Sequence, residues 1–130
     1  MAKKSTRKKL IEKLDKVFSQ YIRLREAKNN NSECFTCGKV DHWKRLQNGH
    51  FMSRKHLSTR WDETNCQVQC AGCNVFRYGE QYKFSVGLDA KYGKGTAESM
   101  LLKSKETLKI DNIELETKIK YYQDLVERLL

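Results

Sequence analysis

A chain of 130 residues with 32% charged side chains and a net charge of +10 is long enough for one domain with helical extensions. No apolar run resembles a signal peptide or a membrane span, so no membrane partner and a reducing cytoplasm are expected, where thiols stay free to bind metal. The positive charge points to a polyanionic partner such as DNA, with simple solubility as the plainer reading.

The charge is unevenly placed. Residues 1–28 carry ten Lys/Arg against three acids, whereas residues 96–130 carry six against seven. Lys3, Lys4, Arg7, Lys8 and Lys9 are therefore candidates for phosphate contact, or else the solvated face of a helix. That helix is predicted from Ser5 to about Lys28. Leu10, Leu14, Val17, Tyr21 and Leu24 recur at spacings of three and four, and Ile11, Phe18 and Ile22 widen the stripe. The turn formers Asn29-Asn30-Asn31-Ser32 break it. Residues 1–31 thus read as a basic amphipathic N-terminal helix.

Residues 32–95 read as a polar core region with few aliphatics, in need of a metal staple. Cys34-Phe-Thr-Cys37-Gly38 has the form of a zinc knuckle, with the glycine permitting a tight turn. Leu46 to Met52 is predicted as a hairpin strand carrying His50, and Gln67-Val68-Gln69 as its partner. A helix is expected from Cys70 to about Tyr78, with Cys70 and Cys73 in its first turn, where a helix N-terminus favours thiolates. Tyr82, Phe84, Val86, Leu88 and Tyr92 suggest a second short helix ending near Gly93. Two Cys-x-x-Cys pairs, Cys34/Cys37 and Cys70/Cys73, supply four thiolates for a closed structural Zn²⁺. Thiol-disulfide exchange is the weaker reading of two such pairs. Cys66 is left over and reads as a small buried hydrophobe.

Residues 96–130 form a C-terminal helical extension. Ala97 to Lys105 is predicted helical, and Asp111-Asn-Ile-Glu114 resembles a capping box. Leu115, Ile119, Tyr122, Val126 and Leu129 then make a stripe to be buried against the N-terminal helix or a second copy of the chain, as in a homodimer.

The middle also holds parts for phosphodiester hydrolysis. That reaction needs an activated water, a cation and a scaffold aligning both with the phosphate. His50 on a strand suits a general base, Asn65 can orient it or hold a loop, and Asn74 can present an oxygen to Mg²⁺ or Mn²⁺. The plain alternatives are a packed histidine and two turn or cap asparagines. Arg54, Lys55 and Arg60 are candidate phosphate clamps. Trp43 and Trp61 are candidates for stacking on unpaired bases, core packing being the stronger reading for Trp61.

Cys34-x-x-Cys37, Gly49-His50-Phe51, Asn65 and Cys70-x-x-Cys73-Asn74 resemble the HNH nuclease pattern with a four-cysteine zinc site. More narrowly, Asn48-Gly-His-Phe-Met-Ser-Arg54, Thr59-Arg-Trp-Asp62, Asn65 and Gln69-Cys-x-x-Cys-Asn74 resemble the phage NinG/Rap recombination family. The likeness is strong from about Cys34 to Gly93. It implies an α+β fold: a small zinc-stabilised ββα-metal (treble-clef, HNH-like) core flanked by helices. It further implies cleavage of branched DNA such as Holliday junctions in a bacterial host cytoplasm, with His50 as base, Asn74 on the metal side and Asn65 holding the loop that positions His50. One departure stands out. Many HNH enzymes carry an acidic metal ligand just before the base, where this chain has Gly49. His56, Asp62, Glu63 and Asn48 are candidate replacements. The competing expectations are a non-catalytic zinc-stabilised DNA-binding module and a recombination adaptor acting through the terminal helices.

Overall fold

The computed structural model describes residues 5–130. The N-terminal stripe winds into α1, Thr6–Leu24, capped by Ser5, whose hydroxyl accepts the Lys8 N–H at 3.1 Å. Leu14, Val17, Phe18, Ile22 and Leu24 form its buried face. The helix stops short of Lys28, and Asn29 and Asn30 turn the chain in left-handed conformations that asparagine tolerates. Two strands follow, β1 (Asn31–Glu33) and β2 (Val40–His42), paired antiparallel. The loop between them carries Cys34 and Cys37, and Gly38 turns it at φ +79°.

Strand β3 (Gln47–His50) pairs antiparallel with β4 (Cys66–Gln69), His50 opposite Cys66 and Gly49 opposite Gln67. The long connection between them holds α2 (Leu57–Arg60). After β4 the expected helix is a single wide turn instead. Gly72–Phe76 is wound as a π turn, closed by Arg77 N–H on Gly72 O at 2.9 Å. Such turns widen the backbone at one point. Here the wide turn carries Cys73 beside Cys70, whose Sγ accepts the Cys73 N–H at 3.4 Å. Then come α3 (Gln81–Tyr92), ending at Gly93, α4 (Thr96–Ser104) and α5 (Asn112–Leu129). Asp111 caps α5 by accepting the Glu114 N–H at 2.7 Å.

The main core lies between α1 and α5. Leu115, Ile119, Tyr122 and Val126 bury their side of α5 against α1, with Phe18 and Tyr122 edge to face at 4.9 Å. The C-terminal stripe is therefore covered by the chain's own N-terminal helix, apart from the half-exposed Leu129. Trp43, Trp61 and Cys66 join the same core, which takes both indoles out of solvent. Tyr21 and Tyr122 donate their hydroxyls to the Glu63 carboxylate at 3.1 and 3.0 Å. Burial, then the carboxylate beside them, pushes both phenols above their ordinary pKa. Arg25, just past α1, reaches Glu63 O and Cys66 O at 2.9 Å each and so ties α1 to β4. A second, smaller cluster of Cys34, Leu46, Val68, Cys70 and Cys73 is too thin to stand alone. Among the described residues no helix is long and apolar enough to cross a membrane.

Candidate functional site

Three segments bring the four cysteines together: the β1–β2 loop, the end of β4 and the π turn. Their four Sγ atoms all lie within 4.8 Å of one another, and Cys37 and Cys70 are 3.7 Å apart. Tetrahedral zinc with Zn–S near ~2.3 Å requires sulfurs about 3.8 Å apart, so the cluster fits a Zn²⁺. Burial opposes ionisation of Cys34, yet the Cys70 N–H and the Thr36 hydroxyl outweigh it and bring that thiol down to about 6. The Lys39 N–H favours the Cys37 thiolate, but burial and the neighbouring sulfurs raise it to about 12. Four thiolates so close require a cation between them. Arg77 adds a partial counter-charge, donating Nη2–H to Cys73 Sγ at 3.3 Å. Cys66 takes no part. It is fully buried, its thiol is pushed far up by desolvation, and it points at Arg60 O at 3.5 Å.

Next to this cluster lies a polar cleft of about 480 Å³. Its walls include Asn48 and His50 from β3, Asn74 from the π turn, Asp15 from α1, and Arg54. Strand alternation places Asn48 and His50 on one face. Gly49, on the other face, is buried under Gln69, whose Oε1 would lie 1.9 Å from any Cβ at position 49. His50 donates Nε2–H to Arg60 O at 3.0 Å, which leaves Nδ1 as an acceptor. Burial holds the imidazole below its ordinary pKa, so the ring is neutral at physiological pH. Asn74 donates its amide to Gln47 Oε1 at 2.8 Å. Among the described residues the Asn48 Oδ1 is buried with no hydrogen-bond partner, as is the Gln69 Oε1 on the other face of the strand. A buried acceptor left bare is costly, and a cation would satisfy it.

Asn65 lies outside the cleft and is fully buried. Its Oδ1 accepts the Met52 N–H at 2.8 Å, and its Nδ2–H donates to Met52 O and Thr59 O. It therefore clamps the β3–β4 connection, whose Arg60 carbonyl in turn holds His50. Arg60 is not a free phosphate clamp: its Nε and Nη2 grip the Asp15 carboxylate at 3.0 and 2.5 Å. Arg54 stands exposed at the cleft rim, 3.9 Å from Asp15, and Lys55 is exposed beside it.

Of the candidate replacements for the missing acid, only Asn48 faces the cleft. Asp62 caps the Thr64 and Asn65 N–H groups and pairs with Lys103, lining a different hollow near α5. Glu63 is taken by the two tyrosines. His56 precedes α2 and lines neither hollow. Arg7 donates to Ile110 O at 2.6 Å, while Lys8 and Lys9 are exposed. Lys3 and Lys4 lie outside the described residues.

The sequence reading missed Asp15. It is one of three acids in a basic segment and shares the 15, 18, 19 spacing of Phe18 and Ser19, which line the cleft with it. That helical spacing was the available signal.

The arrangement defines an α+β protein with a four-cysteine site fit for zinc beside a histidine-asparagine cleft. The family described as Bacteriophage Lambda NinG protein matches residues 1–130, and the chain belongs to that family. No curated protein and no solved structure matches it.

Proposed function

We propose that this protein is a metal-dependent endonuclease of phage recombination that cuts branched DNA such as Holliday junctions. The observation that carries the reading is the cleft itself. His50 and Asn74, the base and metal-side residues of the HNH likeness, line one cavity together with Asn48, whose buried Oδ1 has no hydrogen-bond partner among the described residues. The order of a paired β3 and β4 followed by α3, built on the four-cysteine cluster, suits a ββα-metal core.

His50 is set to take a proton from a water through Nδ1, because Arg60 O fixes the other nitrogen as the donor. Its lowered pKa keeps it in the accepting form. Asn48 and Asn74 would hold a Mg²⁺ or Mn²⁺, which when bound supplies charge neutralisation at the phosphate. Asn65 keeps the loop, and so the Arg60 carbonyl, in place. Arg54 offers a cation at the rim for a phosphate oxygen, and Lys8, Lys9 and Lys55 add attraction for the backbone. Zinc at the four cysteines is structural, and the protein works in the host cytoplasm.

One observation favours a non-catalytic DNA-binding module. Gly49 stands where an acidic ligand is usual in HNH enzymes, and Gln69 fills the space a side chain would need. A labelled four-way junction and a matched linear duplex, each incubated with Mg²⁺ or Mn²⁺, separate the two. The nuclease reading expects cuts near the branch and little cutting of the linear duplex. Tight junction binding without scission under either metal supports the module.

A further inference from the structure

Three rings follow Asn74 with no packing use inside the protein: Phe76 at the end of the π turn, Tyr78 just past it and Tyr82 in the first turn of α3. Phe76, Tyr78 and Tyr82 are 77, 89 and 80% exposed. Among the described residues none of them stacks on another ring, and neither tyrosine hydroxyl is hydrogen-bonded to protein. Both tryptophans, the residues the sequence suggested for stacking, are buried instead. Three large rings left in water within seven positions concentrate the kind of side chain that lines contact surfaces.

The rings stand on a stiff base. Tyr78, Gly79 and Glu80 all take positive φ. The Gly79 N–H donates to Cys73 O at 2.8 Å, and Gly79 O accepts the Gln69 Nε2–H at 3.0 Å. Arg77 reaches Cys73 Sγ and, at 3.7 Å, Glu80. The platform is thus riveted to the four-cysteine cluster on one side and to β4 on the other. Beside the rings stand the half-exposed Arg77 and the exposed Lys83, which share the Glu80 carboxylate at 3.7 and 3.4 Å and leave a net positive charge there. Phe76 lies two residues from Asn74, a wall of the cleft.

We propose that Phe76, Tyr78 and Tyr82 form a stacking platform for unpaired nucleobases at a DNA branch. Flat π faces on a basic chain suit bases of any sequence on a phosphate backbone, because every base presents a π face and every phosphate a charge. Fully paired duplex keeps its bases stacked internally and gives the rings nothing to take. The platform would therefore select branched over linear DNA and bring the branch to the cleft. This deepens the endonuclease reading and rests on it for DNA as the partner, but not for catalysis.

The test measures binding of the full chain, with no divalent cation added, to a four-way junction, a single-stranded oligonucleotide and a fully paired duplex. Because all three side chains are exposed, a triple variant Phe76→Ala, Tyr78→Ala, Tyr82→Ala keeps the fold, which circular dichroism and zinc content verify. Affinity for junction and single strand is expected to fall at least roughly tenfold, with duplex affinity within about twofold of wild type. Tyr78→Trp should keep tight binding, and the emission it adds to that of the buried Trp43 and Trp61 should be quenched by the single strand. Equal losses on all three DNAs, no loss on any, or unquenched Trp emission in a bound complex each overturn the platform; unchanged DNA binding would leave the rings to a protein partner. Failure of the nuclease reading shows separately, as absence of scission by wild type while this discrimination persists.

Discussion

At Gly49 the buried Gln69 side chain leaves no room, since its Oε1 occupies the space where a Cβ would point. Gly49→Asp, which puts an acid where the HNH likeness has one, should therefore lower the melting temperature without raising cleavage, as overpacking costs roughly 1–3 kcal/mol. A variant with wild-type stability and faster cleavage would contradict this packing. His50 gives a pH prediction with a definite sign. Its folded pKa lies below the unfolded value near ~6.5, so the unfolded chain binds the proton first. The stability it contributes is present above that value and is lost as pH falls through the folded pKa. The acid limb of cleavage should also fall below pH ~6.5. An NMR titration of the His50 ring placing its pKa at or above the ordinary value would refute both statements. Asp15 is a positioning residue: Asp15→Asn frees Arg60, loosens the carbonyl that holds His50 and removes a charge that favours imidazolium. Cleavage should drop about tenfold with KM little changed, and the acid limb should shift further down. A pH profile left in place would count against that role. Asp15 escaped the sequence reading because its partner Arg60 lies 45 residues away. Asp62 drew attention for its place in the motif, yet its oxygens are spent on capping and on Lys103.

The elements that metal ligation demands were the readable ones. Two Cys-x-x-Cys pairs can converge only if a loop and a turn face each other, and the β1–β2 loop and the π turn do so. The knuckle glycine, the β3–β4 pairing, the end of α3 at Gly93 and the Asp111 cap likewise followed from local chemistry. The π turn did not, because its width answers to the convergence of sulfurs from distant segments rather than to helix propensity. Since the cluster around the sulfurs is so small, Cys37→Ser or complete zinc removal should unfold β1, β2 and the π turn. Metal analysis should find about one zinc per chain, and far-UV circular dichroism should follow its removal. A chain that keeps its full melting transition without zinc would rule out the staple.

In the whole molecule the N-terminal helix is a wall of the site as well as an extension. Helix α1 brings Asp15, Phe18 and Ser19 to the cleft and is held there by α5. Leu14→Ala or Leu115→Ala, each at a fully buried position of that seam, should cost about 2–5 kcal/mol of unfolding free energy in denaturant titration. Cleavage should fall with it as the cleft loosens. The stripe on α5 was legible from its spacing, whereas its covering by α1 rather than by a second copy was not, because the spacing is the same for either partner. In the proposed endonuclease the proton transfer rests on His50. Strand scission of a labelled four-way junction in Mg²⁺ or Mn²⁺, compared between wild type and His50→Ala, is its most direct test. Metal-dependent cuts near the branch that fall at least about 10²-fold in a folded His50→Ala protein that still binds the junction are the expected result. Equal cutting by both proteins, or none by wild type, would contradict it.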